Sequence, residues 1–157
     1  MKKYTIGILF KKEHYGIFHN TYVALIHKLH PEWQTWIYNF PGGKVEEDEE
    51  YQDCIVREFF EETGLTIESY ECKNIGCLKN DNCIVEIFTA IYNPVKHGKL
   101  ITKTDEEVNW YECVELPNPT IENLDYLIPY AFTYHYQTDP FKPKYATFEL
   151  ESWKNIH

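Results

Sequence analysis

Apolar positions along the chain fall into short β-type runs broken by turns, with two stretches of helical character. Tyr4–Phe10 and Thr21–His27 are β-branched and apolar, and each predicts a strand. A loop around Pro31 separates Lys28 from Gln34. Trp36–Phe40 predicts a short aromatic strand that stops at the turn residues Pro41, Gly42 and Gly43. Asp48–Thr63 holds neither Gly nor Pro and is rich in Glu, which predicts a helix closed by Gly64. Thr66–Asn74 and Cys83–Tyr92 predict two further strands around a turn at Asn80–Asn82, followed by a Pro/Gly/Lys loop over Asn93–Thr104. Val108–Val114 predicts another strand, ended by Pro117 and Pro119. Asn123–Tyr136 predicts a second helix with Pro129 as a fault inside it, and Tyr145–Trp153 alternates like a strand. Strands outnumber helices and do not alternate with them one for one. That pattern predicts an α+β or α/β/α sandwich, a mixed β-sheet with packed helices.

Composition narrows this picture. At 157 residues the chain predicts one domain, 1–157, with 139–157 as a C-terminal extension packed on it. The net charge is −10, from 25 acids against 15 bases. A nonspecific nucleic-acid binder and an anionic-membrane peptide both need a basic footprint, so neither is expected. Thirteen Tyr, nine Phe and four Trp are far too many aromatics for a disordered chain. Five cysteines, with no CxxC, predict reduced thiols and a cytoplasmic location. Cys72, Cys77, Cys83 and His97 fit no common zinc spacing. The apolar run at the N-terminus is shut by Lys11 and Lys12, too short for a signal peptide, and no window approaches a membrane span.

Chemistry concentrates between Gly42 and Leu65. On a helix Glu58, Glu61 and Glu62 share one face, while Val56, Phe59 and Phe60 point the other way and would pack on the sheet. Like charges one turn apart repel, so such a cluster calls for full solvation or a cation. Carboxylate oxygens suit hard cations, Mg²⁺ first and Mn²⁺ as the alternative. Glu46, Glu47 and Glu50 read as a solvated acidic face. Arg57 is the only arginine in the chain, and its planar fork can orient carboxylates in a way lysine cannot.

Gly43-x5-Glu49-x7-Arg57-Glu58-Phe59-x-Glu61-Glu62-x-Gly64-Leu65 resembles the Nudix box at every fixed position, with an aromatic Phe59 where the family usually has an aliphatic residue. FPGGKVE before it and EEVNWYECVELP after it resemble flanking family segments. The resemblance implies a Nudix-like fold and a Mg²⁺-dependent pyrophosphohydrolase acting on a nucleoside diphosphate linked to X. It implies Glu61 and Glu62 as metal ligands, Glu58 as a ligand or water-activating base, the Gly42 carbonyl as a further ligand, and Arg57 and Glu49 as the residues that orient the glutamates. Many members use another Glu from a downstream loop. Glu107 and its neighbour Glu106 are the candidates, with surface acids as the plain alternative.

The box does not select X. The proline typical of the ADP-ribose subfamily is missing from the region of Lys79–Asp81, and the dinucleotide, NADH and coenzyme A signatures are not visible. What is left resembles the MutT-type group, which converts a nucleoside triphosphate to monophosphate and pyrophosphate. Asn123 stands where that group places a base-reading amide, with Asn118 as second choice, and a helix cap is its other reading. Trp36, with Trp33, is a candidate base-stacking residue; the aromatics after Asn123 read as core. The expected partner is a small nucleotide, and a homodimer is compatible with the sequence. The alternatives are an ADP-ribose or dinucleotide pyrophosphatase, a nucleotide-sensing module without hydrolysis, and an isomerase or decapping enzyme on the same scaffold.

Overall fold

The longest apolar run makes the longest strand. Lys2–Lys12 (β1) is buried from Thr5 to Phe10 and runs through the middle of the sheet. This computed structural model describes residues 1–13, 21–137 and 143–150. Its other strands are Thr21–His27 (β2), Tyr38–Asn39 (β3), Gly42–Lys44 (β4), Lys73–Lys79 (β5), Cys83–Ile91 (β6), Val108–Glu112 (β7) and Ala146–Glu149 (β8). The helices are Tyr51–Thr63 (α1), the single turn Pro94–His97 (α2) and Leu124–Tyr136 (α3).

The sheet order is β3-β2-β1-β6-β5-β8, with β4 on β1 and β7 on β2. β6 runs parallel to β1 along nearly its whole length. The opposite edge of β1 is divided: Tyr4–Ile6 pair with β4, and Phe10–Lys12 pair with β2. β2 then leaves β1 and takes β3 at Ile26 and His27. This divergence opens the cleft described below.

Side-chain alternation along β1 separates two cores, as period-two geometry requires. Ile6, Ile8 and Phe10 meet Leu124, Leu127, Ile128 and Ala131 of α3. Leu9 on the other face meets Ile55 and Phe59 of α1. The architecture is therefore the expected mixed sheet between helices. Among the described residues no helix is long and apolar enough to cross a membrane.

Several elements differ from expectation for local reasons. α1 starts at Tyr51 rather than Asp48, because Asp48 has φ 62°, outside the right-handed helix. The strand expected from Trp36 shrinks to two residues because Trp36 itself has φ 69°. Over Thr66–Asn74, Glu68 and Glu71 build a reciprocal capping box around a 3₁₀ turn at Ser69–Glu71, so the strand starts only at Lys73. Inside the loop expected over Asn93–Thr104, Asn93 caps α2 through the amides of Val95 and Lys96. Gly42–Lys44, expected as a turn, is strand β4. On α1 it is Ile55 and Phe59 that pack on the sheet, while Phe60 is exposed beneath the Lys103 ammonium, 3.7 Å from its ring centre. Of the strand expected over Tyr145–Trp153, Ala146–Glu149 is formed and pairs parallel with β5. The remainder of that strand beyond Leu150, and much of the extension placed at 139–157, lie outside the described residues.

Candidate active site

α1 and β4 bring the acidic residues together. Gly64 ends α1 in the left-handed conformation, φ 73°, and its N–H donates to Phe60 O. The last two turns of the helix thereby carry Glu58, Glu61 and Glu62. β4 lies so close that a Cβ on Gly43 would fall 2.3 Å from Glu58 Oε1, so only glycine lets that carboxylate rest on the strand. The Gly42 N–H donates to Glu62 Oε2 at 3.2 Å.

Arg57 organises this cluster. Its Nε and Nη2 donate to the two oxygens of Glu49 at 2.8 and 3.0 Å, a bidentate pair. Nη1 donates to Glu58 Oε1 at 2.8 Å and to Glu61 Oε2 at 3.0 Å. Nη2 also donates to the Lys44 carbonyl at 3.1 Å, tying the fork to β4. The guanidinium holds the Glu49 carboxyl down at about 2.

Glu58 and Glu62 have the opposite environment. Burial pushes the Glu58 carboxyl up against the pull of Arg57. Burial also pushes Glu62 up to about 8; Lys28 opposes this, and Glu58 and Glu106 add to it. Glu62 thus feels both Glu58 and Glu106 from within a poorly solvated position. Glu106 is buried and fully paired. Oε1 accepts from Lys28 Nζ at 2.7 Å, and Oε2 accepts the N–H groups of Leu29 and His30 at 2.6 and 3.0 Å. Burial pushes its carboxyl up, but these donors bring it below the usual carboxylate range. Glu107 is exposed and accepts from Asn109 Nδ2. The downstream acid drawn into the cluster is therefore Glu106.

A cleft of about 570 Å³ opens where β2 leaves β1, and it reaches the glutamates through Gly42 and Gly43, which touch Glu62 and Glu58. Gly42 and Gly43 form its glutamate side, and Lys2, Lys28 and Lys44 line it with positive charge. Trp33 and Gln34, from the 3₁₀ turn Glu32–Gln34, and Asn39 of β3 form another part of the wall. Trp36 does not line it. Its indole is largely exposed and lies over His27, with ring centres 5.5 Å apart. Asn123 is buried in a small adjoining cavity that shares Ile6, Asn39, Phe40 and Val85 with the cleft. Its Oδ1 accepts from Tyr126 OH at 3.0 Å, and it does not cap α3. The sequence alone did not single out Lys28, Gln34 or Asn39. They lie in an irregular loop and a two-residue strand, where no periodicity marks a face.

Among the described residues no three acids, histidines or cysteines already stand in metal-holding positions, because Arg57 engages an oxygen of both Glu58 and Glu61. The donor set nevertheless suits a hard cation. Two nearby carboxyls, Glu58 and Glu62, raised chiefly by burial and further by neighbouring acids, are groups that a divalent ion would ionise and bind. Glu58, Glu61, Glu62 and the Gly42 carbonyl are the oxygens available to it.

Comparison with known proteins agrees with this geometry. The NUDIX domain family model matches residues 5–131. The ADP-sugar pyrophosphatase of Mus musculus is 28% identical over 113 residues, covering 69% of this chain and 52% of that protein. The uncharacterized Nudix hydrolase YvcI of Bacillus subtilis is 28% identical over 102 residues, 61% of each chain. The chain thus spans little more than half of these relatives. Among solved structures, a NUDIX hydrolase from Nitrosomonas europaea superposes with a TM-score of 0.66 at 17% identity, covering 95% of this chain and 78% of that one. The NUDIX domain of Shewanella oneidensis NrtR, solved with ADP ribose, superposes with a TM-score of 0.62 at 18% identity, covering 81% and 83%. With the box residues gathered around Arg57 on the end of α1, and a family match over most of its length, this chain is a member of the Nudix family.

Proposed function

We propose that the protein is a divalent-metal-dependent pyrophosphohydrolase that cleaves a phosphoanhydride in a nucleoside diphosphate linked to X. The observation that carries this reading is the cluster of Arg57-ordered carboxylates packed behind Gly42 and Gly43, two glycines that line a lysine-bearing cleft. A chain of net charge −10 needs local cations to hold a diphosphate, and Lys28 and Lys44 stand beside Gly42 and Gly43 to supply them. Mg²⁺, held by Glu58, Glu61, Glu62 and the Gly42 carbonyl, would neutralise phosphate charge and acidify a water. Arg57 and Glu49 keep the glutamates in orientation. Glu58, whose Oε1 is engaged by Arg57, keeps Oε2 for a proton taken from water.

For X, the first reading is a nucleoside triphosphate, cut to monophosphate and pyrophosphate. Asn39, a buried amide on the cleft wall, and Asn123, a buried amide in the cavity that adjoins it, support it, because an amide can read a base edge. The second reading is an ADP-ribose-like diphosphate, favoured by Trp33 on the cleft wall and by the mouse relative's name. A panel of triphosphates and ADP-ribose with Mg²⁺, scored for pyrophosphate from the former and for AMP and ribose 5-phosphate from the latter, separates the two. Glu61→Gln and Glu62→Gln are each expected to fold and to lower turnover by orders of magnitude. Near wild-type activity of either at limiting Mg²⁺ would overturn the metal assignment. A much higher kcat/KM for ADP-ribose than for any triphosphate would replace the first reading by the second.

A further inference from the structure

The cleft wall away from the glutamates contains a relay of two buried amides whose orientation is forced. The Phe40 backbone N–H donates to Asn39 Oδ1 at 2.7 Å. Asn39 Nδ2 in turn donates to Gln34 Oε1 at 3.0 Å. A backbone N–H can only donate, so Asn39 cannot be turned over without losing a buried bond, and Gln34 is fixed by Asn39. Gln34 Nε2 donates to no protein group among the described residues and is not one of the buried atoms left without a partner, so it meets the solvent of the cleft that Gln34 lines. Gln34 is 6% exposed and Asn39 7%, and both line the cleft beside Trp33. The backbone at Gln34 is equally fixed: its N–H donates to Pro31 O at 2.9 Å, and its carbonyl accepts from Ile37 N–H at 2.9 Å.

We propose that Gln34 reads the base, and that its locked amide selects nucleotides carrying a ring carbonyl (guanine, hypoxanthine, uracil) over those carrying an amine there (adenine, cytosine). This deepens the nucleotide reading above and rests on it. A carbonyl accepts from Nε2, whereas an exocyclic amine sets donor against donor once the base has displaced the solvent there. Asn123 does not impose the same choice. Its partner is the Tyr126 hydroxyl, which can donate or accept, so that amide turns over at no loss.

The test compares kcat/KM for ITP against ATP and for UTP against CTP, with Mg²⁺. Each pair exchanges a carbonyl for an amine at one ring position and the adjoining ring N–H for a ring nitrogen that accepts. The wild type is expected to favour the carbonyl member about tenfold. Gln34→Met keeps the length of the side chain and removes the donor, so the ratio should fall to about one, with the loss on KM of the carbonyl substrates. Asn39→Asp still accepts from Phe40 N–H but can no longer donate to Gln34. Gln34 then turns over to donate to the new carboxylate, its Oε1 meets the base, and the preference should invert toward ATP and CTP. A purely structural role for either residue would not invert a preference. Equal kcat/KM within both pairs in the wild type, or an unchanged ratio in Gln34→Met, overturns the proposal. If none of the four nucleotides is hydrolysed, the triphosphate reading fails separately. The base preference is then read from Kd by quenching of tryptophan fluorescence with the same four Mg-nucleotides, and equal Kd values overturn it.

Discussion

At the scale of single residues, Arg57 is the hinge of the site because one planar group serves Glu49, Glu58, Glu61 and the β4 backbone together. Lysine would keep the charge but lose the fork. Arg57→Lys is therefore expected to lower kcat about 10- to 100-fold, as loss of a ligand-orienting partner does, while nucleotide KM moves only a few-fold. Unchanged kcat would show that the glutamates orient themselves. The same pair has a pH signature. Glu49 is held at about 2 in the folded protein, below the ordinary 4.5, chiefly by its hydrogen bonds to Arg57. A depressed carboxyl contributes stability that is complete above the unfolded value and is lost as pH falls through the folded one. For Glu49 that window runs from about pH 5 to 2, and the contribution is on the order of 2 kcal/mol after allowing for solvent at the partly exposed guanidinium. Glu49→Gln should flatten the acid limb of the stability curve in urea titrations across this window; an unaltered limb would mean the pair is already screened.

At the scale of elements, the aromatic at position 59 is explained by its neighbour across the layer. A Cβ on Gly7 would fall 2.3 Å from Phe59 Cζ and 2.9 Å from Ile55 Cδ1, so β1 gives up a side chain where α1 carries a ring. Gly7→Ala should cost about 1–3 kcal/mol by overpacking. Phe59→Leu alone should also destabilise, by leaving a cavity. The double variant should recover most of the Gly7→Ala loss, which chemical denaturation can measure; additive losses would mean that the two do not touch. The same elements show what the sequence makes legible. β1, β2, β6 and α3 follow from unbroken apolar runs, and the site on α1 follows from the spacing of the box. β4 was hidden because Gly42 and Gly43 carry turn propensity, and only pairing with the divided edge of β1 makes them a strand. Trp33 and Trp36 are indistinguishable by composition. The left-handed backbone at Trp36 turns one away from the cleft that the other lines, and no local pattern announces that choice. Glu106 and Glu107 are adjacent, and burial of the first against Lys28 separates their roles only after β2 and the loop before β7 have met.

For the molecule as a whole, the site lowers the stability of the metal-free protein. A chain already at −10 buries Glu62 and places Glu58 and Glu106 where both act on it, burial being the larger effect. Folding must bear that repulsion, and a divalent cation bound only to the folded state relieves it. Mg²⁺ at about ten times its Kd should add about 1.4 kcal/mol, which raises Tm by about 3–6 °C in a domain of this size. Glu62→Gln removes one of the repelling acids and keeps an oxygen that can accept the Gly42 N–H. Its metal-free Tm at pH 8 should therefore lie a few degrees above that of the wild type, while its gain from Mg²⁺ shrinks toward zero. The two melting curves should then approach or cross as Mg²⁺ is added, which a loss of packing cannot produce. A variant that melts lower without metal and still gains the full increment would place the cation elsewhere and make Glu62 a structural acid.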